Sequence, residues 1–444
     1  MSRNHGQAGR GCLLIVQNGD FLGAIRNFER GEAEAYLDQK ASVDFVCGLT
    51  EQTDVVVTSV APDAYDERPM PGLRTIGVSQ REMYGADLAP RLLDEVAPTL
   101  AVPRFPHAPL LRGLHQRGIL SFPCFADIFS RVGLRETASR KGLGRVKYNH
   151  LIRRALASPF MTAVGNHSLS ASRSLSDVLG LDERRIVPWE WTRLQPRSAS
   201  DGAALVPEPG VFRLVYAGTV SVEKGVRDLV EAVGQLGGGV ASIEVLVFGV
   251  GPFESEMETL AAALPERVSV KRMGRMPNLE VRRYMAGAQA VVVPSRPVYA
   301  EGLPNVIFEA LAAGAALIVS DHPSFRDRLI DGQQALVARA GDSRSLASCI
   351  DRLMRDGSLR QRLRENTAET LAGLYVGRSW YELMRFFVDD PQDRSGWVAA
   401  NSLAALAGQQ NAGDAGRNPA LAPQTAASPA PAELKETEAD RGRA

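Results

Sequence analysis

Two glutamates, Glu301 and Glu309, have seven residues between them in the segment EGLPNVIFEALAAG. The first lies in a predicted loop. The second lies about a turn into a predicted helix, where its side chain leans back toward the helix N-terminus. Both carboxylates can therefore face one ligand and accept hydrogen bonds from the vicinal hydroxyls of a sugar or ribose. The alternative is a solvated Glu301 and a buried Glu309 without partners, although burying a charge without partners is costly.

The predicted helix that contains Glu309 has recognisable ends. Pro304 suits its first turn, where a missing N–H group costs nothing, and Gly314 suits its end. The backbone N–H groups of Leu303, Asn305 and Val306 are then free to face a ligand, and the helix dipole favours an anion there. The segment predicts a diphosphate site at the start of this helix.

A second segment, AGTVSVEKG, follows a predicted strand and opens a helix. Gly218 permits a tight turn close to a ligand. Lys224 is then a point charge beside a diphosphate. The alternative is an ordinary strand-to-helix turn with a solvated lysine.

From about residue 212 to residue 353, the order and spacing of these segments resemble the group-one retaining glycosyltransferases. The resemblance implies an α/β protein of the GT-B architecture, in which two Rossmann-like domains face each other across a cleft. It also implies that Glu309 holds the ribose and that Glu301 contacts the donor sugar. Thr219 stands where a basic residue is frequent in that family, so the resemblance implies one charged phosphate contact fewer, although Thr219 can donate a hydrogen bond instead.

The resemblance extends to three weaker positions. Gly249 lies in the loop expected after the second strand, although a pair of glycines is mostly a structural turn. Arg275 and Met276 lie where the family's backbone meets the nucleotide base, and Arg275 is alternatively a surface arginine. Asp127 lies where the family has a polar residue near the reaction centre, and it is alternatively a helix cap. The predicted catalytic residues are Glu301, Lys224 and Asp127. The predicted donor-binding residues are Gly218, Thr219, Lys224, Gly249, Arg275, Met276, Glu301, Gly302, Leu303, Pro304, Asn305, Val306 and Glu309.

The implied function is a retaining hexosyltransferase that uses a nucleoside-diphosphate sugar and a saccharide or glycoconjugate acceptor, in surface polysaccharide or glycan synthesis. We expect no cofactor and no metal, because Lys224 and the helix N-terminus can stabilise the departing diphosphate. The alternatives are a nucleotide-sugar epimerase, a phosphorylase of the same fold, or a non-catalytic nucleotide-sugar-binding protein.

The bulk composition is that of a soluble globular protein, with 444 residues, 45% hydrophobic residues and a formal net charge of zero. A neutral chain gives no indication of nucleic-acid binding. The four cysteines lack metal-like spacing and predict reduced thiols in the cytoplasm. Residues 131–154 are strongly basic and predict either a solvated face or peripheral contact with anionic lipid at the inner membrane face, with a lipid-linked acceptor.

The domain boundaries follow from the alternation of strands and helices. We expect a flexible N-terminus (1–10), an acceptor domain (11–195), a linker (196–210), a nucleotide-sugar-binding domain (211–375), a terminal helix crossing back to the first domain (376–390) and a largely disordered tail (391–444). Within these domains the pattern also predicts a strand at Val43–Cys47 and a helix at Pro323–Ile330.

Overall fold

The computed structural model describes residues 10–131, 139–198, 201–237, 242–325 and 328–414. The described residues up to Ala405 form one compact unit, and those from Leu406 belong to a second. The expected flexible N-terminus and the last part of the expected tail lie outside the described residues.

The N-terminal half contains a six-stranded sheet and a smaller three-stranded sheet. The strands of the larger sheet are β1 (Cys12–Gln17), β2 (Asp54–Val60), β3 (Tyr65–Met70), β4 (Leu73–Val78), β5 (Leu100–Pro103) and β6 (Leu120–Ser121). Their order is β3-β4-β2-β1-β5-β6, and only the β3–β4 pair is antiparallel. The smaller sheet is parallel and consists of β7 (Cys124–Phe125), β8 (Val164–His167) and β9 (Ile186–Trp189).

Helices connect these strands. They are α1 (Phe21–Glu29), α2 (Gln39–Gly48), α3 (Gln80–Met83), α4 (Leu88–Val96), α5 (Ala108–Gln116), α6 (Arg140–Leu156) and α7 (Leu169–Asp177). Short 3-10 turns occupy Leu49–Glu51 and Glu183–Arg185.

The C-terminal half is a six-stranded parallel sheet. Its strands are β10 (Val211–Ala217), β11 (Ser242–Phe248), β12 (Val268–Gly274), β13 (Ala290–Val293), β14 (Leu317–Ser320) and β15 (Leu336–Ala338), in the order β12-β11-β10-β13-β14-β15. Its helices are α8 (Val226–Gly234), α9 (Glu254–Ala262), α10 (Asn278–Gly287), α11 (Asn305–Ala312), α12 (Ser343–Arg355), α13 (Gly357–Glu365) and α14 (Thr367–Leu374).

The apolar strands of this half are buried on both faces. Leu214 of β10 packs in one apolar cluster with Val245, whereas the next residue, Val215, packs in another with Leu246. Neighbouring side chains of a strand point to opposite faces, so helices must cover the sheet on both sides. Its strand ends then carry the loops that form the candidate site.

Three helices follow, namely α15 (Trp380–Asp389), α16 (Trp397–Ala400) and α17 (Leu403–Asp414). Trp380 and Phe387 of α15 are fully buried in a cluster that also contains Ile15 of β1 and Phe122. Trp397 is 4% exposed in the same cluster. A disordered tail beginning at residue 391 was therefore the wrong expectation for the described residues around Trp397, because a large aromatic side chain gains more from burial than its ordering costs.

Two predicted elements differ from the structure. Val43–Cys47, expected as a strand, lies within helix α2, where Val43 and Val46 are the buried residues. Their spacing of three places both on one helix face, which outweighs the strand preference of valine. Pro323–Phe325, expected to begin a helix, form a turn, and residues 326–327 lie outside the described residues.

Candidate functional site

Lys224 and Glu301 form an ion pair between Nζ and Oε2, with side chains 15% and 11% exposed. The ring centroid of Tyr299 lies 4.3 Å from the same Nζ atom, a cation–π distance. The other oxygen of Glu301, Oε1, is buried and accepts no hydrogen bond from any described residue. The structure thus brings these two predicted catalytic residues into direct contact and leaves one buried carboxylate oxygen unsatisfied.

The turn before α8 positions Lys224. Gly225 has a φ of +75°, and a Cβ atom on it would lie 2.1 Å from the carbonyl oxygen of Pro294, so glycine is required at this approach. Arg296 binds the Asp228 carboxylate of α8 through Nε at 2.8 Å and Nη2 at 2.5 Å. The Lys224 turn is therefore fastened to the chain that leads from β13 to Glu301.

The loops that follow β10, β11 and β12 converge at the carboxyl ends of these strands. Gly249 has a φ of +123°, and a Cβ atom there would lie 2.0 Å from the carbonyl oxygen of Gly218. Its N–H group donates to the carbonyl oxygen of Gly274 at 2.8 Å. Thr219 and Arg275 are exposed. Gly249 thus has a structural reason to be glycine, whereas ligand contacts of Thr219 and Arg275 stay predictions.

Helix α11 begins one residue later than the sequence suggested. Pro304 precedes the first helical residue, Asn305, and occupies the N-cap position. At the other end, Gly314 has a φ of +73° and ends the helix as expected. Leu303 is buried, and Val306 is half-buried at the start of the helix.

Glu309 is buried, with 6% exposure, but it has partners. Its Oε1 atom accepts a hydrogen bond from Asn278 Nδ2 at 2.8 Å. Burial raises its pKa, while the hydrogen bond from Asn278 acts in the opposite direction. Asn278 is in turn tied by its backbone N–H to the carbonyl oxygen of Glu34 at 3.1 Å. A buried acid without partners was thus the wrong alternative.

Asp127 follows β7 and lies beside the Glu301 loop. The carbonyl oxygen of Ala126 accepts the N–H of Gly302 at 2.7 Å. Burial raises the pKa of Asp127 to about 6. Burial also raises the pKa of Tyr299, and the charges of Glu301 and Asp127 add to that shift. No helix begins at Ile128, so the helix-cap alternative is wrong. The structure therefore brings Asp127 to the neighbourhood of Glu301.

The sequence analysis missed two residues of this site. Tyr299 lies two residues before Glu301, and Asn278 directly follows the segment with Arg275 and Met276. Met276 itself is half-buried against the apolar cluster that contains Val215 and Leu246. An aromatic or amide residue so close to a predicted ligand segment was the available signal, but neither spacing nor residue type distinguishes it from an ordinary loop residue.

Comparison with known proteins supplies a family for the half that carries these loops. The family profile described as "Glycosyl transferases group 1" matches residues 204–370, which include Lys224, Glu301 and Glu309. This part of the chain is therefore similar to the group 1 glycosyl transferases.

Two curated relatives each match about a third of the chain. Alpha-D-kanosaminyltransferase of Streptomyces kanamyceticus is 28% identical over 162 residues, which are 36% of this chain and 41% of the relative. Lipopolysaccharide core biosynthesis glycosyltransferase LpsE of Rhizobium meliloti (strain 1021) is 30% identical over 152 residues, 34% of this chain and 42% of the relative. The chain thus spans less than half the length of these relatives.

A solved structure extends the likeness beyond the group 1 domain. Anabaena HepE in complex with UDP-glucose is 11% identical, the match covers 91% of this chain and 99% of HepE, and the TM-score is 0.56. Together with the two α/β halves, this likeness confirms the GT-B fold.

Two further properties concern the described residues alone. None of their helices combines the length and apolar character needed to cross a bilayer. They also contain no group of three or more His, Cys, Asp or Glu side chains placed to hold a metal ion. A metal-independent reaction stays a prediction.

Proposed function

We propose that the protein is a retaining glycosyltransferase that moves a hexose from a nucleoside-diphosphate sugar to a saccharide or glycoconjugate acceptor. The observation that carries this proposal is the Lys224–Glu301 pair at the carboxyl ends of the strands, beside the start of helix α11. Its support from relatives is that one matched protein is named a kanosaminyltransferase and one matched structure contains UDP-glucose.

Each group has a distinct role in the proposal. Lys224 and the amides at the start of α11 neutralise the diphosphate, because a cation and a helix dipole both favour an anion there. Glu301 accepts hydrogen bonds from hydroxyls of the donor sugar, for which Oε1 has unused capacity. Glu309 accepts hydrogen bonds from the ribose.

The reaction breaks the bond from the anomeric carbon to the diphosphate oxygen, and the electron pair leaves with the nucleoside diphosphate. The acceptor hydroxyl oxygen forms the new bond on the same face, and its proton passes to the departing diphosphate oxygen. Lys224 and the amides at the start of α11 are in place before the reaction and stabilise the negative charge that develops on the diphosphate. Asp127 lies next to the Glu301 loop and holds the acceptor or the transferred sugar.

Binding tests the donor site first. Thermal shift and calorimetry with UDP, GDP, ADP and their glucose conjugates identify the donor. Glu309→Gln removes a charged acceptor, and charged hydrogen bonds contribute roughly 1.5–3 kcal/mol, so affinity should fall by about tenfold or more. The matched control is Glu256→Gln, because Glu256 pairs with Arg227 at an exposed site of the same half and is 54% exposed. Unchanged affinity in Glu309→Gln would remove Glu309 from the ribose role.

Turnover tests the reaction. With the identified donor and a panel of saccharide acceptors, proton NMR of the product should show the anomeric configuration of the donor. The rate should be the same with and without a chelator, which checks the metal-independent prediction. Conversion of the nucleotide sugar in the absence of any acceptor would instead indicate an epimerase.

We also propose that helix α6 contacts anionic lipid, which would place the enzyme at the inner membrane face with a lipid-linked acceptor of surface polysaccharide synthesis. Leu143 is 59% and Val146 43% exposed on this helix, and Lys147 and Arg154 are exposed as well. Arg135 of the 131–154 segment lies outside the described residues. Flotation with anionic vesicles should retain the protein at low salt, and Leu143→Glu should weaken that binding; absence of binding at low salt contradicts the proposal.

A further inference from the structure

The end of β14 and the turn that follows it present three buried polar side chains toward the Glu301 loop. Ser320, His322 and Ser324 are 2%, 0% and 0% exposed. Ser320 is the last residue of β14, and the N–H of Phe325 closes the turn by donating to the carbonyl oxygen of His322 at 3.1 Å. Buried polar groups require hydrogen-bond partners, so their contacts should be definite.

All three donate to backbone carbonyl oxygens of the chain that leads from β13 to Glu301. Ser320 Oγ donates to Ser295 O at 2.6 Å, and His322 Nε2 lies 3.0 Å from Tyr299 O. Ser324 Oγ donates to Glu301 O. These three side chains thus hold the backbone of that segment at three points, two of which are Tyr299 and Glu301.

The contacts of His322 also fix which ring nitrogen carries the proton. Nδ1 accepts the N–H of Ser324 at 3.2 Å, so in the neutral ring the proton is on Nε2, which donates to Tyr299 O. The ring stacks on Phe325 with centroids 5.1 Å apart. Burial lowers the pKa of His322 and thereby favours this neutral form.

The loop held in this way carries both groups that contact Lys224, namely the Tyr299 ring and the Glu301 carboxylate. We propose that Ser320, His322 and Ser324 are positioning residues that fix Tyr299 and Glu301 for contact with the donor sugar. This proposal rests on the proposed function, because it assumes that Glu301 meets the sugar of a nucleotide donor. Nothing in the motif spacing indicated these three residues.

The alternative is that the three side chains only stabilise the fold. The two readings differ in one measurable ratio, the affinity for the nucleotide sugar relative to the affinity for the nucleoside diphosphate alone. Loss of general stability leaves this ratio unchanged in the folded protein. A displaced Glu301 weakens sugar contacts and leaves the diphosphate contacts of α11 in place.

The test uses Ser324→Ala in the full chain, with Ser121→Ala as the matched control. Ser121 is also 0% exposed, and its hydroxyl donates to the carbonyl oxygen of Ile119 at 2.9 Å, in the N-terminal half. Wild type is first titrated with UDP, GDP and ADP and their glucose conjugates. The pair that binds best serves for the variants.

In Ser324→Ala we expect affinity for the glucose conjugate to fall by about three- to tenfold, the range of a lost neutral hydrogen bond. Affinity for the nucleoside diphosphate should change by less than about twofold. In Ser121→Ala both affinities should stay at the wild-type values. As a second variant, His322→Gln keeps a side-chain N–H donor and should retain more affinity for the conjugate than His322→Leu.

Two failures are distinguishable. If wild type binds none of the six probes, the proposed function fails and this proposal fails with it. If wild type binds and Ser324→Ala lowers the midpoint of unfolding but keeps the wild-type affinity ratio, the three residues serve the fold alone and only the positioning role is overturned.

Discussion

Replacing Asp127 by asparagine tests whether the ionised Asp127 carboxylate lowers the stability of the folded protein. Burial raises its pKa from 3.8 to about 6. The folded chain therefore binds the proton more tightly than the unfolded chain between these values, and stability must fall as the pH rises through that window. A shift of about two units corresponds to about 3 kcal/mol at neutral pH. Because Asp127 is partly exposed, water access makes this figure a ceiling.

The assay is urea unfolding of wild type and Asp127→Asn at pH 8 and pH 5. Asparagine cannot ionise, so the variant should be more stable than wild type by up to about 3 kcal/mol at pH 8 and by about half of that at pH 5. The control is Asp63→Asn at an exposed position, which should change stability by no more than about 0.5 kcal/mol at either pH.

The same substitution should lower turnover by about tenfold or more, because a charge-assisted hydrogen bond to substrate is worth roughly 1.5–3 kcal/mol. A more stable but less active enzyme is the expected outcome at pH 8. A gain that is equal at pH 5 and pH 8, or a loss of stability at pH 8, would refute the assignment of the raised pKa to Asp127. Unchanged turnover would remove Asp127 from the catalytic residues.

Three other substitutions have definite expected outcomes. Lys224→Met leaves the shielded carboxylate of Glu301 without its ion-pair partner. Breaking such a pair should lower the free energy of unfolding in urea by about 3 kcal/mol, and a change below about 1 kcal/mol would contradict the assignment of a shielded ion pair. Gly249→Ala places a Cβ atom 2.0 Å from the carbonyl oxygen of Gly218 at a φ of +123°, so its unfolding free energy should fall by at least about 2 kcal/mol, and a wild-type value would mean that the loops do not meet as described. Trp397→Ala should destabilise the protein by about 3–5 kcal/mol in the same assay, whereas a wild-type melting curve would mean that residues near 397 are not part of the core.

The sheet of the C-terminal half was predictable because local sequence determines it. Except for β12, its strands are mainly apolar, and the strand predicted before Gly218 is β10, at Val211–Ala217. Parallel strands covered on both faces have this pattern almost by necessity. The ends of α11 were also close to the prediction, since proline and glycine restrict where a helix begins and ends.

The N-terminal half was less predictable because tertiary packing outweighs local preference there. Strand β3 was missed, since its charged residues Asp66, Glu67 and Arg68 do not resemble an apolar strand. It lies at the sheet edge, where one side needs no strand partner and charges are tolerated. The helix at Gln39–Gly48 was missed for the opposite reason, because its valines suggested a strand.

Prediction of the candidate site was limited in the same way, because local sequence identifies single residues but not the contacts between distant segments. The sequence identified Lys224 and Glu301 separately, but they lie 77 residues apart and their contact depends on how β10 and β13 pair. His322 was not predictable, because its role comes from a turn that meets a different loop.

Glu309 shows most clearly how the two halves of the chain combine in one site. Its carboxylate accepts a hydrogen bond from Asn278 of its own half, and the backbone N–H of Asn278 donates to the carbonyl oxygen of Glu34 in the other half at 3.1 Å. A carboxylate has two oxygens and can accept several hydrogen bonds, so ribose hydroxyls can add to the bond from Asn278. The charge of Glu309 strengthens those bonds, which is why Glu309→Gln should lower nucleotide affinity. Because Asn278 also holds the backbone of Glu34, a ribose that shifts the Asn278 side chain should change the contact between the two halves.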